Sequence, residues 1–291
     1  GLRWKAAAPL SAVPPFCTRI HCGALLRNAQ LSEPARLWPP PKTVPRAFGQ
    51  DFRQGGWLLR ERYVHQSRPN NVPDPAQCAF WSSETVDALV RLFREPGDGP
   101  LRWPHRPKYV GYDSKDFNAT ARFLGDLRAS LPLLGGAAGG HWLVLGSWSP
   151  WVEAALLATG VASAVTTLEF THLASCPDVH RSLTPLVHAS FAAQNRSAVR
   201  YDGFVQFSSV EHSGLGRYGD EVNPWADKQI IASMWCRAKS SAWFIFGPET
   251  EDQAEGARSV VYWNAGRDYT PETLGSLMLN WELARAASGP W

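Results

Sequence analysis

Two regimes of hydrophobic patterning divide the chain. Residues 1 to about 80 show no sustained period and many prolines, including Pro39-Pro40-Pro41. Proline lacks an amide donor and fixes φ, so the stretch 1–80 reads as an irregular, proline-rich N-terminal extension. A helical period then begins at Ser83, the expected N-cap, and runs to about Arg94 with Val86, Leu89, Val90 and Phe93 at i, i+3, i+4 and i+7. A second helix is expected from Lys115 to Ser130, with Leu124, Leu127 and Leu131 on one face. Gly135-Gly136-Ala137-Ala138-Gly139-Gly140 makes a flexible join, so 81–140 reads as a helical part plus linker.

From residue 141 the pattern changes to strands alternating with helices. Trp142-Leu143-Val144-Leu145 is a short apolar strand ending at Gly146. Ser149 is the expected N-cap and Pro150 the first helical position, with Val152, Ala155, Leu156 and Thr159 as a stripe and Gly160 as a left-handed stop. Val165-Thr166-Thr167-Leu168 is the next strand, followed at once by Glu169. A looser segment, 171–200, has room for a short strand or helix. Then come a strand at 203–207, a polar loop, a helix from Asp227 to Ala238 and a strand at Trp243-Phe244-Ile245-Phe246. Val260-Val261-Tyr262-Trp263 is the last strand expected, and Pro271 to Ala287 reads as a closing helix. Strands spaced by helices imply right-handed crossovers, so 141–291 is expected to be an α/β domain with a Rossmann-like, mostly parallel sheet.

Composition changes this picture little. Hydrophobic content of 44% suffices for a core, and a net charge of +3 without a basic stripe argues against a nucleic-acid partner. No apolar run reaches the roughly 18 residues of a membrane span. The five cysteines, Cys17, Cys22, Cys78, Cys176 and Cys236, are scattered, form no C-x-x-C pair and read as reduced structural thiols. Asn118-Ala119-Thr120 and Asn195-Arg196-Ser197 fit the glycosylation triplet. Gly1 rather than Met at the start leaves room for an upstream segment. Compartment and oligomeric state stay open.

Chemistry concentrates after two strands. Gly146-Ser147-Trp148 lies between a strand and a helix, and Glu169 ends the following strand. In nucleoside-binding α/β folds the first turn brings backbone N–H groups to the ligand, and an acid ending the second strand accepts from ribose hydroxyls. A pyrophosphate-cradling G-x-G-x-x-G is absent, which argues against NAD or FAD and leaves room for a nucleoside without phosphates. The plain alternative is an ordinary crossover whose Glu169 is solvated. The second concentration runs from Ser208 to Asp220. Glu211 or His212 is placed to take a proton from a substrate hydroxyl or amine; a structural role for His212, capping the next turn, stands beside that one. Ser208 falls with the cofactor loop, and Ser209, Arg217 and Asp220 with the substrate, although Arg217 and Asp220 are also read as pairing with each other. A third group, Trp263-Asn264-Ala265-Gly266-Arg267, offers Asn264 and Arg267 to an anionic or sugar substrate, or makes a surface hairpin. No G-x-S-x-G elbow and no P-loop occurs, and His172, His180 and His188 match no metal-ligand spacing, so no metal is expected.

These blocks resemble a family known as domain of unknown function 268, first defined on nematode proteins. The residues that carry the resemblance are Gly146-Ser147, Ser149-Pro150-Trp151-Val152-Glu153, Thr167-Leu168-Glu169-Phe170, Ser208 through Asp220, Asn223-Pro224-Trp225 and Trp263-Asn264-Ala265. The chain carries Ala226 where the family has Gly, and Gly266 where it has His. The segment Tyr201 to His212 also looks like the fourth-strand region of class I methyltransferases. What the resemblance implies is a fold of that type and S-adenosylmethionine-dependent methyl transfer to a small molecule or carbohydrate. Gly146, Ser147, Trp148, Glu169 and Ser208 would then hold the cofactor, Glu211 and His212 would move the proton, and Ser209, Arg217, Asp220, Asn264 and Arg267 would hold the substrate. The alternatives are a non-catalytic binding module on the same fold and a nucleotide-sugar-dependent enzyme of glycan metabolism.

Overall fold

The computed structural model describes residues 2–6, 22, 39–54, 56–64, 75–95, 114–169, 172–194, 199–247, 258–278 and 280–285. It is an α/β protein built on a mostly parallel sheet. Five strands run parallel in the order β5 (Leu183–Leu186), β4 (Ala162–Leu168), β3 (Gly140–Leu145), β6 (Tyr201–Phe207), β7 (Ala238–Gly247). From β3 the chain builds outward to β4 and β5 on one side, then returns to build β6 and β7 on the other. The strand order therefore reverses between β3 and β6, and that is where open α/β sheets leave a crevice at their carboxyl ends. Register makes the crevice level: Leu145 pairs with Leu168 on one side and with Gln206 on the other.

Both faces of this sheet are covered, as parallel sheets require. Alternation along β3 sends Trp142 and Val144 to one face and Leu143 and Leu145 to the other. The first face packs on Leu89 and Phe93 of α3 (Ser83–Arg94), on Phe123 and Leu127 of α4 (Ser114–Leu134), and on Ala154 and Ala155 of α5 (Trp151–Ala158). The second packs on Ile231 and Met234 of α7 (Ala226–Arg237) and on Leu274 and Leu277 of α8 (Pro271–Leu277). Within the looser segment 171–200, β5 is followed by the short α6 (His188–Ala193).

Several expectations are corrected. The cap of α3 is Ser82, whose Oγ accepts from the Thr85 amide at 3.3 Å, and Ser83 is the first helical residue. In α5 the N-cap is Pro150, one residue beyond the expected Ser149. The closing helix stops at Leu277, and Trp281–Arg285 forms strand β10 instead; Trp281 is buried against Phe204 and Phe244. Its partner is β1 (Leu2–Ala6), which runs antiparallel to both β7 and β10 and so joins the first residues to the same sheet. Val260–Trp263 does not extend that sheet either. As β8 it forms a second, three-stranded sheet with β2 (Leu58–Glu61) and β9 (Gly266–Asp268). Parts of the proline-rich region are thus structural: α1 (Gly49–Arg53) and Trp57 pack on Trp263, whose indole N–H donates to the Pro41 carbonyl at 2.9 Å.

The reduced-thiol reading is overturned as well. Cys22 is bonded to Cys236 of α7, and Cys78 of α2 (Pro75–Trp81) to Cys176, after β4. The cysteines looked scattered because each pair spans a large stretch of sequence, 214 and 98 residues. Cys17 and Asn195-Arg196-Ser197 lie outside the described residues. Among the described residues, no helix is long and apolar enough to cross a membrane.

Candidate functional site

A cavity of about 400 Å³ opens at the carboxyl ends of β3, β4 and β6. That volume falls within the usual range for small-molecule sites. Nine of the residues singled out in the sequence border it: Gly146, Ser147 and Trp148 after β3, Glu169 after β4, and Ser208, Ser209, His212, Arg217 and Asp220 after β6.

Gly146 has φ of +64°, and a Cβ there would lie 1.9 Å from Ser209 Oγ and 2.8 Å from Ser209 Cβ. The absent side chain lets the loops after β3 and β6 touch. The next residue ties in the third strand: Ser147 donates its amide hydrogen to Glu169 Oε2 at 2.7 Å. Beneath it lies Glu153 of α5, fully buried, which no part of the sequence reading placed in the site. Thr167 Oγ1 donates to Glu153 Oε1 at 2.7 Å, and Ser147 Oγ lies 3.0 Å from Oε2 and 2.9 Å from the Ser149 carbonyl. Burial, with Glu169's charge adding to it, pushes the Glu153 carboxyl up to about 7. Its neutral form satisfies every partner: the acid donates to Ser147 Oγ, which donates to Ser149. The signal was present, a lone carboxylate in the apolar helical run Trp151-Val152-Glu153-Ala154-Ala155.

This buried acid makes a pH prediction. The folded protein holds the Glu153 proton more tightly than the unfolded chain, so this group lowers stability as pH rises from about 4.5 to about 7 and keeps it lower above that. Glu153→Gln reproduces the neutral hydrogen-bond pattern. It is expected to stabilise the protein at pH 8 by on the order of 3 kcal/mol and to leave pH 4 nearly unchanged. Urea midpoints of both proteins at the two pH values check this.

The loop after β6 is held by buried polar groups; of Glu211, Asp220, Asn264 and Arg267, Asp220 alone borders the cavity. Ser208 takes a left-handed φ of +48°, uncommon for a residue with a side chain. Glu211, expected to move protons, is buried and does not border the cavity: its Oε2 accepts from Gln206 Nε2 at 2.6 Å and from the Ser209 amide at 2.9 Å. Asp220 borders the cavity but does not pair with Arg217. Its carboxylate accepts from the amides of Gly214 at 2.7 Å, Gly216 at 3.3 Å and Tyr218 at 3.1 Å, and burial nonetheless raises its pKa. Asn264 and Arg267 do not reach the cavity either. Asn264, at φ +61°, accepts from the Val64 amide at 3.0 Å. Arg267 is fully buried and donates through Nη1 to the carbonyls of Glu211 at 3.2 Å and Ser213 at 2.6 Å, with Asp227 3.7 Å from Nε. The β8–β9 hairpin thus supports the loop rather than a substrate.

That hairpin also orients His212, which sits in a 3₁₀ turn, Val210–His212. His212 Nδ1 lies against the Ala265 carbonyl, an acceptor only, so Nδ1 carries the hydrogen and Nε2 is the basic nitrogen. A Cβ on Gly266 would come 3.2 Å from Nδ1; the missing side chain gives the imidazole its place. Two further cavity residues were not anticipated. Burial lowers the pKa of His188, at the start of α6, to about 4, so it is neutral at pH 7, and it raises Tyr218 to about 12. In the sequence His188 stands out only by its spacing from His172 and His180, which matches no metal-ligand pattern.

The fold and site define an α/β protein with a cavity of mixed polar and apolar lining at the point where its parallel strand order reverses. The chain belongs to the family described as Caenorhabditis protein of unknown function, DUF268, whose model matches residues 139–289, about half of the chain. No curated protein matches it.

Proposed function

We propose that this protein is an S-adenosylmethionine-dependent methyltransferase acting on a small molecule or carbohydrate. The observation that carries the reading is Glu169: a carboxylate ending the second parallel strand, bonded to the Ser147 amide and bordering the cavity beside Gly146. In Rossmann-like folds an acid roughly 20 residues after the first turn takes the ribose hydroxyls. The strand order supports that architecture, and the missing Cβ of Gly146 suits close approach of a nucleoside to backbone.

In this reading Gly146, Ser147 and Trp148 border the adenosine and Ser208 lines the same end. When bound, the cofactor supplies a methyl group on an electrophilic sulfonium. His212 receives the acceptor's proton at Nε2, and Ser209 offers a hydroxyl to the acceptor. Glu211 positions this loop and takes no proton itself. The work of the protein is mainly alignment, where proximity contributes most of the rate. Trp148 is 37% exposed at the cavity and offers a flat apolar face to a sugar ring.

Calorimetric titration with S-adenosylhomocysteine tests the reading. The folded wild-type chain is expected to bind it, and Glu169→Gln, which keeps the size of the side chain, to bind about tenfold to a hundredfold more weakly through weakened hydrogen bonds to a charged group. Absence of binding at millimolar ligand to a folded, oxidised sample overturns it.

A further inference from the structure

We infer that Arg217 is the oxyanion-binding residue of the cavity, so that the bound molecule presents a carboxylate, phosphate or sulfate group at that wall. The inference rests on the cavity and extends the methyltransferase reading to the charge of its ligand.

A guanidinium has five N–H groups in a planar fork and cannot lose its charge in a protein. In Arg217 one of them is used, on the Ala265 carbonyl, 3.1 Å from Nη1. His212 Nδ1 lies 3.4 Å from the same nitrogen but does not accept from it, because its own hydrogen points to that carbonyl. Arg217 Nε is buried without an acceptor, and Nη2 has none among the described residues. Ala265 and the Tyr218 ring, 5.2 Å from Cζ, hold the guanidinium without neutralising it.

The nearby acids have other work. Asp220 is held by three backbone amides, Glu211 by Gln206 and Ser209, Asp227 lies against Arg267, and Ser147 donates to Glu169. Among the described residues lining the cavity, Arg217 is the one Lys or Arg, and it forms no ion pair with a described acid. Arg237 and Arg267 show the contrast. Each is buried, keeps N–H groups without an acceptor and donates to two carbonyls, Arg237 to Phe191 and Gln194, Arg267 to Glu211 and Ser213, but neither borders the cavity, so no ligand there can reach them. Ser208, Ser209 and Ser213 border the same cavity.

Two sources fit an oxyanion here, the amino-acid carboxylate of the cofactor and an acid group on the acceptor, and one set of titrations separates them. Wild type, Arg217→Lys and Arg217→Gln, each checked for the wild-type melting profile, are titrated with S-adenosylhomocysteine, with methylthioadenosine, which lacks the carboxylate, and with inorganic phosphate, sulfate and acetate in the presence and absence of saturating methylthioadenosine. A loss of about tenfold to a hundredfold in Arg217→Gln for S-adenosylhomocysteine, with methylthioadenosine unchanged and Arg217→Lys intermediate, supports the inference and assigns the anion to the cofactor. Unchanged nucleoside binding with anion binding that disappears in Arg217→Gln supports it and assigns the anion to the acceptor. Anion binding that depends on Arg217 while neither nucleoside binds keeps the inference and removes the methyltransferase reading. If Arg217→Gln changes none of these affinities, the inference is overturned, whether or not the nucleosides bind.

Discussion

Replacing Cys78 and Cys176 by serine is expected to lower the unfolding free energy by about 4 to 5 kcal/mol. The bridge closes a loop of 98 residues, and a cross-link of that span removes chain entropy from the unfolded state worth about that much. For a chain of this size the melting temperature should fall by roughly 10 °C. The Cys22–Cys236 bridge spans 214 residues, so on the same logarithmic dependence its loss costs slightly more. Scanning calorimetry of the oxidised protein, the two double variants and the wild type in excess reductant checks both. An unchanged transition under reductant would mean that these cysteines are thiols in solution. The first bridge also bears on the site, because it fastens the segment after Glu169 to the middle of α2. His180 N–H donates to the Trp81 carbonyl at 3.1 Å and Asp178 accepts from Ser83 Oγ at 2.9 Å in the same seam. Disulfides of this kind persist in oxidising compartments, so folding yield is expected to rise when the protein is made under oxidising conditions.

Gly146→Ala is expected to cost about 3 kcal/mol and, on the proposed function, to remove S-adenosylhomocysteine binding. A non-glycine residue in the left-handed region costs about 1 to 2 kcal/mol by itself. The rest comes from collision: rotating the Ser209 hydroxyl away clears the contact at 1.9 Å but not the one at 2.8 Å to Ser209 Cβ, so the loop after β6 must move. Gly160→Ala isolates the first contribution. Gly160 has φ of +74°, and nothing lies within 4 Å of the Cβ it lacks. Gly160→Ala should therefore cost about 1 kcal/mol and leave binding intact. Urea denaturation and S-adenosylhomocysteine titration of the two variants side by side make the comparison. Equal stability costs with intact binding in both would show that the loops after β3 and β6 do not touch in solution.

The parts of the site legible in the sequence were those that local order controls. Gly146, Ser147 and Glu169 were placed because a strand, a glycine turn and a capped helix recur on a length scale that periodicity reveals. Ser208, Ser209 and His212 followed from a polar loop after an apolar strand. Glu211, Asn264 and Arg267 were misread for one reason: polar residue type suggests a ligand, but burial gave these side chains partners inside the protein, Glu211 at Gln206 and Ser209, Asn264 at the Val64 amide and Arg267 at the Glu211 and Ser213 carbonyls. An arginine that donates to the Glu211 and Ser213 carbonyls and one that lines a cavity look alike as letters. Glu153 was missed because its helix reads as plain core, and the partners that make its carboxyl a special group, Thr167 and Ser147, come from two different strand ends.

The amino-acid order alone determined the α/β class, the parallel strands around β3, β4 and β6, and the rim on which the polar residues gather. Those follow from the burial period of each element and from turn chemistry, both of which act over a few residues. Only the tertiary structure decided that residues 2–6 pair with 281–285, that Val260–Trp263 leaves the main sheet, that four cysteines are joined, and that Arg217 faces the cavity while Arg267 does not. Each of these depends on which distant segment fills a given place, and hydrophobic periodicity records that a side is buried without recording what buries it.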